Sequence, residues 1–343
     1  MRILVTGHRG YIGARLVPLF EAAGHDVIGL DSDLYRSCRF GSGPVPSPGL
    51  VKDVRDVTPA DLEGFDAVIH LAGLSNDPLG DLDPSLTHEL NMRATVRLAR
   101  LARDAGVRRF LFSSSCSNYG AAGEDWLTET SPLNPVTPYA VSKVKSEEEL
   151  DKLADENFSP VYLRSSTAYG VSSKIRFDLV VNNLTAWAIA TGKVFLKSNG
   201  MAWRPVVHIE DISRAFLAAL DADRSLVHRE AFNVGRTEDN YQIRDIAEFV
   251  HGAVAGSEIA FSDERSVDER TYMVDCSKIR GLGFEPKWDV RSGIDELVST
   301  FSSVGVSQSD FEGPRYQRVA HIRHLIETGE VDSSLRRTEV AAL

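Results

Sequence analysis

Three glycines at three-residue spacing, Gly7, Gly10 and Gly13, follow the apolar run at residues 3–5 and open the helical pattern at residues 13–23. Few local sequences restrict a fold as strongly. A strand that turns through glycines into a helix lets backbone approach a ligand closely, and the free N–H groups of the helix start face an anion. The spacing G-x-x-G-x-x-G differs by one residue from the general dinucleotide fingerprint. Its setting between strand and helix gives it a weight that three loop glycines alone lack. The next apolar run, residues 26–30, ends at Asp31, 18 residues after Gly13. A carboxylate at that point accepts from the ribose hydroxyls of NAD and repels the extra phosphate of NADP. Asp33 adds to that preference, whereas Arg9 inside the loop opposes it, because a guanidinium pairs readily with a 2′-phosphate. The expected cofactor is NAD.

The alternation continues. Residues 67–70 and 109–113 read as strands, apolar throughout as expected when helices cover both faces of a sheet, and residues 86–103 read as a helix. The expected fold class is α/β, a Rossmann-type doubly wound parallel sheet with a smaller C-terminal substrate-binding portion. The expected division is a nucleotide-binding domain over residues 1–168, a mainly substrate-binding portion over 169–305 interleaved with it, and a C-terminal helical extension over 306–343. The second half shows a helical stretch at 179–190, a short strand at 194–196 and a strand-to-helix passage in WRPVVHIEDISRAF. The Pro/Gly/Ser-rich residues 41–49 read as a surface excursion, and the terminal RRTEVAAL is expected to fray.

Two more strand ends fit the same cleft: Asp53 and Val54, and the HLAG segment, in which Leu71, Ala72 and Gly73 are small or apolar enough for a nucleotide to lie against backbone. His70 in that segment reads as a structural residue. Catalytic chemistry is suggested by Ser113 and Ser115 at the end of a further strand and by Tyr139 and Lys143, which share a helix face at i and i+4. Tyrosine, with a pKa of about 10, is a weak base at neutral pH and needs a neighbouring ammonium to favour its phenolate. Alone the pair is unremarkable; after a glycine cofactor turn and a serine-rich strand end it reads as a proton relay. Cys116 has no partnered histidine and reads as a small buried thiol.

Composition narrows the field. With 38 Lys+Arg against 49 Asp+Glu the net charge of −11 supplies no field for nucleic acid or an anionic membrane surface. An anionic substrate must therefore be held by individual arginines and backbone amides. Three scattered cysteines and no Cys/His pairing argue for no metal and fit a reducing cytoplasm. No apolar run reaches the about 20 residues of a membrane helix.

In these residues the chain resembles the extended short-chain dehydrogenase/reductase family, in its sugar-nucleotide epimerase/dehydratase branch. The likeness spans about residues 1–300 and rests on TGHRGYIG, Asp31, Asp53-Val54, HLAG, SSSCSNYG, YAVSK, RPVVHIED and DCSKIRGLGF, in the family's order. It implies that Ser115, Tyr139 and Lys143 form the catalytic set. It implies dinucleotide binding by Gly7, Gly10, Tyr11, Ile12, Gly13, Asp31, Ser32, Asp53, Val54, Leu71, Ala72, Gly73, Ser113, Tyr139 and Lys143. It further implies contacts to a nucleotide-diphosphate sugar by Ser75, Ser115, Thr167, Asn183, Arg204 and Arg265, and a homodimer formed by the helices near residues 86–103 and 139–153.

Departures from the family pattern shape the expected reaction. Dehydrating members place Asp-Glu where this chain has Cys116-Ser117, and decarboxylating members usually carry Glu at the second position. Thr167 stands where several UDP-hexose epimerases have Asn. The expected reaction is therefore NAD-dependent epimerisation at C4 of a nucleotide sugar. A net dehydrogenase or 4-ketoreductase using NAD(P), and a non-catalytic binding protein of the same fold, remain open on the residues.

Overall fold

The computed structural model describes residues 1–41, 49–75, 83–120, 125–262 and 271–338. The first half runs β1 (Arg2–Thr6), α1 (Gly13–Ala22), β2 (Asp26–Asp31), β3 (Gly49–Val51) and β4 (Ala67–His70) into α2 (Pro84–His88) and α3 (Ala94–Asp104), joined by a π-helical turn at Glu89–Arg93. β5 (Arg109–Ser115), β6 (Trp126–Leu127), α4 (Pro138–Asp151) and β7 (Ser159–Ser165) follow. The second half comprises β8 (Thr167–Tyr169), α5 (Val180–Thr191), β9 (Lys193–Leu196), β10 (Trp203–His208), α6 (Ile209–Asp221), α7 (Arg224–Val227), β11 (Ala231–Val234), β12 (Asn240–Gln242), α8 (Ile243–Ala253), β13 (Glu258–Phe261) and β14 (Met273–Val274). It ends with α9 (Val290–Val304), α10 (Gln308–Glu312) and α11 (Arg318–Glu327).

The central sheet has seven strands in the order β11-β7-β5-β4-β1-β2-β3, all parallel. Strand order reverses between β1 and β4, and in an open parallel sheet ligands bind outside the carboxyl ends at such a point. β1 contributes Ile3, Leu4 and Val5, none with measurable exposure, because helices cover both faces of the sheet. On one face Ile3, Val5, Ile69 and Leu163 pack with Leu16, Phe20, Ile212 and Phe216 of α1 and α6. On the other, Leu4, Val68 and Phe112 pack with Leu98, Ala102 and Leu150 of α3 and α4. The doubly wound architecture expected from the alternating pattern is the one observed.

The second half does not stand apart. β11, beyond residue 230, is an edge strand of the central sheet, with Ala231 opposite Tyr162. A separate core of Ile175, Phe177, Val181, Leu184, Ile294, Leu297 and Phe301 joins α5 and α9 and reaches Tyr11 in the glycine turn. Of the terminal RRTEVAAL, expected to fray, residues 339–343 lie outside the described residues, and residues 336–338 depart from expectation. Up to Thr338 the chain is docked: Arg336 pairs with Asp56 at 2.5 Å, Arg337 donates from Nε to Ser32 O at 3.0 Å, and Thr338 donates to Gly329 O at 2.6 Å. An apolar set hidden within a polar segment, Ile322, Leu325, Val331 and Leu335, provides the reason, since each is buried against Leu74 and Leu90. The surface excursion lies mostly, at residues 42–48, outside the described residues; Gly49 already pairs with Gly29 in β3.

Candidate active site

The glycine turn works through contacts that admit no side chain. Gly7 has φ of +75°, and a Cβ there would come within 2.8 Å of Ala72 N. At Gly13 a Cβ would sit 2.4 Å from Gly7 O. Gly10 N donates to Gly7 O at 3.0 Å, closing the turn, and no side chain caps the start of α1. Ala14 N donates to Gly10 O and Arg15 and Leu16 N to Ile12 O, so an anion at the helix start would be met by the turn residues Gly10, Tyr11, Ile12 and Gly13, which line the cleft. That cleft lies at the β1/β4 switch point. Gly7, Gly10, Tyr11, Ile12, Gly13, Asp31, Ser32, Asp53, Val54, Leu71, Ala72, Gly73 and Ser75 all line it.

Asp31 is held by backbone: Arg9 N donates to Oδ2 at 2.9 Å and Asp33 N to Oδ1 at 2.7 Å. Burial pushes its carboxyl up, and those two N–H groups partly offset the push. Arg9, the feature that opposed NAD, pairs with Asp33 at 2.7 Å. The guanidinium is thereby already partnered by a carboxylate that a 2′-phosphate would meet. The carboxylate of Asp53 is bound by Arg55, whose Nη2 lies 2.7 Å away. Tyr11 turns its hydroxyl from the cleft, donating to Gly170 O at 2.7 Å and accepting from Asn182 Nδ2 at 3.1 Å. It ties the glycine turn to the second half, and burial raises its pKa far above the usual tyrosine value.

Lys143 brings the Tyr139 ring and the end of β5 together, while Ser115, at that strand end, is bound to Ser117. Thr137 caps α4, accepting from Ala140 N at 3.2 Å, with Pro138 first in the helix and Tyr139 next. Four residues on, buried Lys143 donates from Nζ to Ser113 O at 2.7 Å and lies 5.6 Å from the Tyr139 ring centroid. Burial lowers its pKa from 10.5 to about 8, with Glu147 one turn further opposing the fall. Ser115 is half-buried, and its Oγ accepts from Ser117 N at 3.1 Å and Ser117 Oγ at 2.9 Å. Cys116 is buried against Arg164 O at 3.1 Å, which pushes its thiol up to about 12 and leaves it inert.

The sugar-binding expectations scatter more widely. Ser75 lines the cleft and accepts from Arg176 Nη1 at 3.2 Å through both O and Oγ. Thr167 opens β8 half-buried, next to Ala168, which lines the cleft. Asn183 donates from Nδ2 to Phe177 O at 2.8 Å. Arg204 is buried, donates to Trp203 O at 2.7 Å and sits 5.8 Å from the Tyr272 ring centroid. Arg265 lies outside the described residues.

Sequence reasoning missed Arg176, Asn91, Arg318 and Leu335. Arg176 is buried, paired with Asp178 at 2.6 Å, lines the cleft and lies within electrostatic reach of Tyr139. Asn91, in the π-helical turn, accepts from Leu74 N at 2.7 Å and donates to Ser142 Oγ at 3.3 Å, joining the loop after β4 to α4. A π-turn often marks a functional position, but nothing in the local sequence signals this one. Among the described residues there is no group of His, Cys, Asp or Glu suited to a metal and no helix long and apolar enough to cross a membrane.

A parallel sheet with a glycine cradle at its switch point and an acid at the end of β2 defines a Rossmann-type dinucleotide-binding enzyme. Residues 3–235 match the NAD dependent epimerase/dehydratase family, and the chain belongs to it; its cofactor is NAD. The chain is 31% identical over 317 residues to a UDP-glucose 4-epimerase of Mycolicibacterium smegmatis, covering 88% of this chain and 98% of that protein. A UDP-glucose 4-epimerase of Bacillus subtilis is 27% identical over 335 residues, covering 87% and 95%. Among solved structures, the UDP-glucose 4-epimerase of Thermotoga maritima with UDP-glucose superposes with a TM-score of 0.76 at 25% identity, covering 88% of this chain and 99% of that one. The dTDP-glucose 4,6-dehydratase DesIV of Streptomyces venezuelae, with NAD bound, superposes with a TM-score of 0.77 at 25% identity, covering 92% and 100%.

Proposed function

We propose that the protein is a nucleotide-sugar epimerase that inverts C4 of its substrate. The observation that carries this reading is the placing of Tyr139 beside a buried Lys143 that is bound to Ser113 O at the end of β5, with no carboxylate at positions 116 and 117. The glycine turn and Asp31 would hold NAD, which would supply reversible hydride transfer at one sugar carbon. Tyr139 takes the hydroxyl proton as the keto sugar forms and gives it back when the sugar has turned over. The Lys143 ammonium lowers the cost of the intervening phenolate. Ser115 Oγ donates to the sugar oxygen, holding it toward Tyr139. Atoms balance between substrate and product, so no reductant is consumed.

Absence of acids at 116 and 117 weighs against elimination of water, which needs a proton donor and a base beside the tyrosine. Arg176, Ser75 beside it, Arg204 and Asn183 would contact the diphosphate sugar, together with Thr167 and, on sequence alone, Arg265. The relatives favour a UDP-sugar. A homodimer through α3 and α4, acting in the cytoplasm, completes the reading; a monomer mass by light scattering at micromolar concentration would remove the first part.

The test is incubation with catalytic NAD and a panel of UDP-, dTDP-, GDP- and CDP-sugars, followed by proton NMR and absorbance at the NADH band. An isomer without net NADH supports epimerisation, and Tyr139→Phe should lower kcat about 10²- to 10⁴-fold, the usual contribution of a positioned acid–base group. Stoichiometric NADH or a keto product would replace this reading with net oxidation or reduction.

A further inference from the structure

The dinucleotide cleft is closed on one side by residues that belong to no part of the alternating fold. Arg318 and Leu335, from the last thirty residues of the described chain, line it beside Asp31, Ser32, Asp33, Leu34 and Tyr35 of the β2 end. Arg318 is 4% exposed, its guanidinium lies 3.9 Å from the Tyr35 ring centroid, and its Nη2 donates to Lys174 O at 3.1 Å. Its Nη1 is buried and has no hydrogen-bond partner. A buried guanidinium donor left unpaired costs free energy unless something accepts from it, and the cleft is the place where an acceptor can arrive.

Leu335 adds a second oddity. Its φ is +60°, a conformation disfavoured for a leucine, yet the side chain is buried and faces the cleft. The segment is held in place from several directions. His321 Nε2 lies 3.0 Å from Leu34 O, Arg336 pairs with Asp56 after β3, and Arg337 donates to the carbonyls of Ser32 and Asp33. It spans the loops after β2 and β4 through Leu34, Tyr35 and Leu74. Those loops border the adenosine side of a dinucleotide site, because the acid at the end of β2 serves the adenosine ribose.

We infer that residues 318–338 form a strap that completes the adenosine subsite, with Arg318 Nη1 donating to an acceptor on the adenosine half and Leu335 supplying an apolar wall. The strap assigns a cofactor-binding role to the C-terminal extension. The inference rests on the dinucleotide reading of the cleft and is independent of which reaction follows.

Calorimetric titration of nucleotide-free protein with ADP-ribose and with NAD tests it, comparing the unaltered chain with Leu335→Gly and Arg318→Gln. Glycine accepts the positive φ, so the first variant removes the wall while keeping the turn. Each variant is expected to bind both ligands about tenfold more weakly or worse, as loss of a buried contact implies. Dissociation constants within twofold of the unaltered chain in both variants would overturn the strap. Amide exchange on the unaltered protein gives a reading that needs no variant: saturating ADP-ribose should slow exchange over residues 331–338, and unchanged exchange there overturns the inference even if the variants do not fold. Both readouts are of binding. A protein that passes them and converts no sugar keeps the strap and loses the epimerase.

Discussion

Arg164 and Glu147 form an ion pair at 2.6 Å with side chains only 7% and 8% exposed. Glu147 lies one turn beyond Lys143 on α4, while Arg164 is in β7, so the pair pins the helix that carries Tyr139 and Lys143 to the sheet. Glu147 also accepts from Ser114 Oγ at 2.5 Å and Asn118 Nδ2 at 3.1 Å, and Arg164 Nη1 donates to Glu129 O at 3.1 Å. Every charge in the cluster has its partners.

Glu147→Gln removes one charge and strands the other in a buried site. We expect a loss of about 3–5 kcal/mol, the usual penalty of an uncompensated buried charge. Urea unfolding of the variant and the unaltered chain measures it, and a loss under about 1 kcal/mol, the range of exposed pairs, would mean that the pair is solvated.

Lys143 sets a pH limit on the chemistry. Burial has lowered its pKa from 10.5 to about 8, so the ammonium that favours the Tyr139 phenolate is progressively lost as pH rises through 8. Turnover is expected to fall on the alkaline side with one proton released near that value. Because Glu147 raises the Lys143 pKa, a folded Glu147→Gln enzyme should begin its fall at lower pH. The dependence of kcat on pH, with bound NAD checked at each point, decides it; a profile flat to pH 10 would separate Lys143 from proton transfer.

His70 predicts the opposite limb, in stability. It sits between Thr6 Oγ1 at 2.6 Å and Thr95 Oγ1 at 2.7 Å, and burial lowers its pKa to about 3. The native state therefore stays neutral between pH 6.5 and 3 while the unfolded chain takes up a proton. Its contribution is full above pH 6.5 and is lost as pH falls, at about 1.4 kcal/mol per pH unit from this one group. Unfolding free energies from pH 7 to 4 should show a shallower slope in His70→Leu; an identical slope would mean that the imidazole charges in the native state.

The cofactor half was legible because its signals are short-range. Gly7, Gly10 and Gly13 are required by contacts inside one turn, and Asp31 is marked by ending the next strand; the alternation of strand and helix dictates parallel order with no long-range knowledge. Tyr139 and Lys143 were legible for the same reason, as spacing on one helix. The sequence by itself thus determined the Rossmann-type frame, its NAD cofactor and the sharing of one helix by Tyr139 and Lys143.

Tertiary structure alone decided what closes that frame. Arg176 meets Ser75 across 101 residues, and Arg337 meets Ser32 across 305. No periodicity or motif encodes such pairings, since each depends on where two distant segments come to rest. The docking of the C-terminal extension was not legible because its buried residues, Ile322, Leu325, Val331 and Leu335, are spread among charges and become a cluster only against Leu74 and Leu90. Local patterns specify elements through short-range sterics and hydrogen bonding; the walls of a site between elements are specified by burial, which is a property of the folded whole.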